Sequence, residues 1–165
     1  MNKTLGVLIC FLLAVPVLLY SQTARMIEEL LNTQAVSNEQ AAWLVLEASD
    51  TFVSGDLSLA NGFSRASVST PAQAFDYAAE QRWFKPGAVP DGKARLDDVS
   101  LLLMRSFDIH GGLFFSILGS PHHAYRELVY RNIIQRRADP GMAVSGEFLL
   151  FLVNRVLSYR EVDQL

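Results

Sequence analysis

One pattern occurs three times in this chain and limits what it can fold into. It is an apolar residue, then a side chain suited to capping a helix, then a helix-length stretch that is apolar nearly all round. The copies are Val36-Ser37-Asn38-Glu39 leading into Ala41 to Leu46, Leu96-Asp97-Asp98-Val99 leading into Leu101 to Met104, and Val144-Ser145-Gly146-Glu147 leading into Phe148 to Val153. Ser and Asp cap helices because the side-chain oxygen accepts from a free backbone N–H of the first turn. Ser37, Asp97 and Ser145 are the expected caps, and Gln40 stands at capping-box spacing from Ser37. The apolar residue before each cap pairs with one early in the helix, Val36 with Ala41, Leu96 with Leu101, Val144 with Leu149, as a hydrophobic staple. A helix apolar on most of its circumference belongs inside a core.

Two longer stretches align around these starts. Thr70 to Phe107 set against Ser120 to Leu157 matches Thr70-Pro71 with Ser120-Pro121, Ala74-Phe75 with Ala124-Tyr125, and Pro90 with Pro140. The stripe Phe75, Ala78, Ala79, Trp83 matches Tyr125, Leu128, Val129, Ile133. The offset is 50 until the second loop, which reads as a residue or two shorter. Thr or Ser before Pro is a helix start, with proline in the first helical position where its missing N–H costs nothing. The expected fold is mostly α: helix–loop–helix repeats of about 50 residues packed into one small domain. Residues 70–107 and 120–157 are full units and 37–50 is the second half of a truncated one.

The first 21 residues are of another kind. Lys3 precedes a nearly unbroken apolar run from Leu5 to Leu19, followed by Tyr20 and the small Ser21. This is the layout of a secretory signal peptide, and the run is short for a membrane span. Cleavage after Ser21, or after Ala24, leaves a single domain over residues 22–165 and no transmembrane span; an uncleaved anchor is the alternative. Cys10, in that run, is the only cysteine. A processed chain then has no disulfide, cysteine nucleophile or thiolate metal site. That pattern favours a bacterial periplasm or envelope. Lys3 is also the only charge before residue 22, so the net charge of −3 becomes −4 on processing. A mildly acidic chain argues against nucleic acid as a partner, which calls for a basic face.

Between these landmarks, Met26, Ile27, Leu30 and Leu31 form a stripe opposite Glu28 and Glu29, the pattern of a short amphipathic helix over Thr23 to Thr33. Asp50 to Ser69, with two glycines and four serines, reads as a long loop. Lys85-Pro86-Gly87, Pro90-Asp91-Gly92 and Asp139-Pro140-Gly141 are turns. Leu113 to Leu118, bounded by glycines, reads as a buried irregular segment or one helical turn. The last helix runs from Ser145 to about Ser158.

A helix, a Pro-Asp loop and a capped second helix in an exported chain resemble the S-layer homology repeat over about Ser37 to Leu157. That resemblance implies modules, commonly in threes, that hold a protein to a cell-wall polymer. The usual motif at the second helix start is Thr-Arg-Ala-Glu. The matching positions here read Ser37-Asn38-Glu39, Asp97-Asp98-Val99 and Ser145-Gly146-Glu147, keeping the cap and lacking the arginine. Gly111-Gly112-Leu113 and Ala124-Tyr125-Arg126-Glu127-Leu128 also resemble segments of spirochaete envelope proteins, which implies a location more than an activity.

No residue set in the chain reads as a catalytic centre. His122 and His123 are adjacent, and neighbours on a helix point about 100° apart, so they do not share a metal as an i, i+4 pair would. Asp97-Asp98 is accounted for by the positive helix N-terminus. Ser116, Ser120 and Ser145 lack a nucleophile-elbow context. Neither a metal nor a cofactor is expected. The polar feature that stands out is basic: Arg126, Arg131, Arg136 and Arg137 fall within a dozen residues. Arginine makes bidentate contacts with carboxylate or phosphate, so these four are the candidate contact patch. The expectation is an exported, non-enzymatic envelope protein that binds a cell-wall polymer or envelope component. The alternative is a periplasmic interaction or assembly subunit without glycan binding.

Overall fold

The computed structural model describes residues 25–53, 70–135 and 138–163. Over these the protein is mostly α. Helix α1 spans 25–31; α2 is Asn38–Val53, α3 Pro71–Glu80, α4 Leu96–Ser106, α5 Leu113–Leu118, α6 Pro121–Tyr130 and α7 Gly146–Asp163. The signal segment over residues 1–21 lies outside the described residues. So does the expected long loop from residue 54 onward, while residues 50–53 complete α2.

Helix α4 is the centre of the core. Nine of its eleven residues are buried, as a stretch apolar on every side requires. Its buried hydroxyls cost little because each bonds within the helix: Ser100 Oγ donates to Leu96 O at 2.6 Å and Ser106 Oγ to Leu102 O at 2.7 Å. Helices α2 and α6 pack on α4, α3 and α7 pack on α2, and α5 packs on α6. Leu102, Leu152 and Leu128 are fully buried, and each such side chain contributes about 2 kcal/mol through apolar area removed from water.

Three residues that precede helices meet in a closed circuit. Val36 N–H donates to Val144 O at 2.9 Å, Ala94 N–H to Val36 O at 2.9 Å, and Val144 N–H to Ala94 O at 3.0 Å. All three residues are completely buried. Buried backbone groups must be paired, and these have no strand to pair with, so they pair with each other. The chain leaves the circuit at each point into a helix whose first N–H groups are capped by the next segment round. Asn38 and Glu39 donate to Gly92 O and Pro90 O; Leu96 and Asp97 donate to Met142 O and Pro140 O; Gly146 donates to Thr33 O, all at 2.8–3.0 Å. The free donors that any helix start leaves over are thereby met by backbone carbonyls from elsewhere in the chain.

The cap residues follow from this arrangement. Ser37 forms the full capping box: Gln40 N–H donates to Ser37 Oγ at 3.2 Å and Ser37 N–H to Gln40 Oε1 at 3.0 Å. Ser145 Oγ accepts from Phe148 N–H at 3.3 Å. Asp97 is not the cap of its helix. Helix α4 begins at Leu96, Arg95 holds the capping position without a side-chain bond, and Asp97 sits in the first turn. Its carboxylate takes its neighbour Asp98 N–H and the Arg95 guanidinium instead. The residue that corresponds to Ser145 is therefore Arg95, and the second loop is not shorter than the first.

The two proline starts fall where the sequence puts them, with α3 at Pro71 and α6 at Pro121. Thr70 Oγ1 accepts from Gln73 N–H at 3.4 Å, whereas Ser120 Oγ bonds the His123 ring at 2.7 Å. Helix α7 runs on to Asp163. The segment from Leu113 to Leu118 is one short helix, but only Phe115 in it is buried, which overturns the expectation of a buried segment.

Candidate functional site

The four arginines of the candidate patch do not form one surface. Arg126 is exposed on α6. Arg131, just past the end of α6, is turned onto its own chain. Its Nε donates to Glu127 Oε1 at 2.9 Å and a terminal nitrogen donates to Tyr159 Oη at 2.6 Å. The guanidinium stacks over the Tyr159 ring at 5.3 Å, and its other terminal nitrogen donates to His110 O. This side chain ties α6 to α7 and to the strip before α5. Arg136 and Arg137 lie outside the described residues.

The concave features of the surface sit elsewhere, beside α4 and beside α7. The first is an open cleft of about 520 Å³ whose walls include Ala79, Arg82, Phe84, Lys85, Leu101 and Gly119. The second, of about 340 Å³, is lined by Ile134, Gln135, Ala138, Met142, Phe148 and Phe151. Phe84 and Ile134, Lys85 and Gln135, Ala88 and Ala138, Leu101 and Phe151 are all 50 residues apart. The turn that enters each cleft has the same backbone. Trp83 N–H bonds Ala78 O and Ile133 N–H bonds Leu128 O, both at 2.9 Å. The residue before each is left-handed, Arg82 at φ 58° and Asn132 at φ 57°. Asparagine tolerates that conformation better than most side chains do.

The first cleft is polar at its mouth and apolar at its floor. Lys85 Nζ lies 2.9 Å from Asp98 Oδ2; the lysine side chain is 43% exposed and the aspartate 4%. Asp98 Oδ1 is buried with no hydrogen-bond partner among the described residues. A carboxylate so far out of water needs its cation, and Lys85 supplies it while keeping part of its ammonium toward solvent. Arg82 adds a second, exposed cation. Two cations above Phe84 and Leu101 suit a ligand with an anionic group and an apolar or sugar-like face. The second cleft has no charge: Phe148 stands at the place of Asp98 and stacks on Phe151, with ring centres 6.2 Å apart.

Arg82 and Lys85 are absent from the candidate patch read from sequence. Their only local signal is a Lys-Pro-Gly turn, and the partner that gives Lys85 its importance is 13 residues away. No group of three His, Cys, Asp or Glu able to hold a metal ion occurs among the described residues. The His122 and His123 rings stand edge to face with centres 6.0 Å apart. No helix among the described residues is long and apolar enough to cross a membrane. No protein-family model matches the chain, and no curated protein or solved structure is significantly similar to it.

Proposed function

We propose that the protein is an exported, non-enzymatic component of a bacterial cell envelope, built from S-layer-homology-like helical units of about 50 residues, that binds an anionic cell-wall polymer. The repeat reading is supported by α3 and α6, each ten residues long and 50 apart, by the paired left-handed turns, and by the matched clefts. The observation that carries the binding reading is the basic cleft at Arg82 and Lys85, a concave surface with cations over an apolar floor. Arg126 extends the positive surface in this reading; Arg131 serves as its internal brace.

The test is co-sedimentation with protein-free cell-wall sacculi at low and raised salt. Wild-type chain should pellet at low salt and be released as salt screens the contact. Arg82→Glu with Arg126→Glu should weaken pelleting about tenfold, equivalent to about 1.4 kcal/mol, with an unchanged melting temperature. Arg131 is left intact because reversing it would break contacts with Glu127 and Tyr159. No pelleting at either salt would discard the wall reading in favour of an assembly subunit with a protein partner.

A further inference from the structure

Helix α5 presents its greasiest residues to solvent. Leu113, Phe114, Ile117 and Leu118 are 73%, 72%, 71% and 57% exposed. At spacings i, i+1, i+4 and i+5 they share one side of the helix. A contiguous exposed apolar face marks an interaction site more often than bare surface.

The helix is held firmly behind that face. Phe115 is buried and Arg105 lies over its ring at 5.2 Å. Gly111 leaves the room Phe115 occupies: a Cβ there would fall 2.4 Å from the ring. At the far end Gly119, at φ 53°, closes the helix, and a Cβ on it would meet the Arg105 guanidinium at 3.0 Å. At the near end Arg131 donates to His110 O. Arginines thus stand at both ends of an exposed apolar helix.

The charge of this limb differs from that of the rest. Residues 111–137 contain four Lys or Arg and one Asp or Glu, a balance of +3; the remainder of the chain has ten and sixteen, a balance of −6. We propose that α5 is a wedge that enters the interfacial layer of an anionic lipid bilayer. Its apolar face is buried among acyl chains while Arg105 and Arg126 meet headgroup phosphates. Six helical residues span about 9 Å, which suits a segment lying in the interface, where buried depth is about 5–10 Å, and is far short of a span. Cationic rims around an apolar face are attracted to an anionic leaflet. A symmetric pair of chains joined through α5 would instead set two positive limbs against each other.

The full chain tests this with Cys10→Ser and Ile117→Cys, the new thiol carrying an environment-sensitive fluorophore. Vesicles of phosphatidylcholine with phosphatidylglycerol should shift its emission to the blue and brighten it, and raised salt should weaken the effect. Leu113→Asp with Phe114→Asp should reduce vesicle affinity about tenfold or more at an unchanged melting temperature. The label reports only its own surroundings, so vesicle binding with no shift at position 117 would overturn the proposal. So would equal shifts on purely zwitterionic vesicles. A shift without vesicles that grows with protein concentration would assign the face to self-association and also overturn it.

Discussion

The clefts beside α4 and α7 stand on the same backbone and hold different chemistry. Their entry turns share hydrogen bonds and a left-handed residue, and their walls correspond at 50-residue spacing. Yet one carries the Lys85–Asp98 pair and the other Gln135 with stacked Phe148 and Phe151. The frame is set by main-chain hydrogen bonds that do not depend on side-chain identity. The lining is therefore free to diverge, and the two clefts suit different surfaces.

That comparison breaks most visibly at the helix starts. Leu96 and Asn38 carry full side chains where α4 and α2 begin, but a Cβ at Gly146, the matching position of α7, would lie 1.6 Å from Leu30 O. Gly146→Ala should lower stability by about 3 kcal/mol or more, because a backbone carbonyl cannot swing aside as a side chain can. Urea unfolding measures it, and a loss below about 1 kcal/mol would show that α1 does not sit hard against α7.

A middle-sized effect sharpens the contrast between the clefts. Lys85→Met leaves the buried Asp98 carboxylate without its cation and should cost about 2 kcal/mol, less than a fully buried pair because Lys85 is 43% exposed. Lys85→Gln combined with Asp98→Leu imports the uncharged chemistry of the other cleft and should return within about 1 kcal/mol of wild type. A double variant less stable than the single one would mean that the two linings are not exchangeable.

The smallest effect separates the capping serines. Ser37→Ala removes a reciprocal capping box and should cost about 1 kcal/mol. Ser120→Ala should cost less than about 0.5 kcal/mol, since Ser120 Oγ bonds the His123 ring and caps no backbone N–H. Equal losses in denaturant unfolding would refute this ordering.

These positions also show what could be read from sequence. Pro71, Pro121 and Ser37 were legible because their chemistry is local: a fixed φ, a missing N–H, an oxygen within reach of its own helix. Arg95 was not, because α4 takes its cap from the Met142 and Pro140 carbonyls, far along the chain. With distant carbonyls on those N–H groups, no capping side chain is required, and Asp97 two residues on looked the better start. Helix α5 misled for another reason: apolar sequence signals burial, and only Phe115 obeys. Of the arginine cluster, Arg131 is spent on Tyr159, 28 residues away, while Arg82 and Lys85 resembled ordinary turn residues until Asp98 was placed beside one of them.

The circuit of Val36, Ala94 and Val144 has a consequence for how such a chain can vary. An open stack of helical units can gain or lose one at either end, since each end is only a surface. Here each member gives and receives one bond, so removing any member strands a donor and an acceptor in the dry centre, and a fourth has nowhere to enter. Copy number is thereby quantised at three. Growth by duplication must proceed through whole rings, and assembly cannot finish until segments from near both ends of the described chain have met.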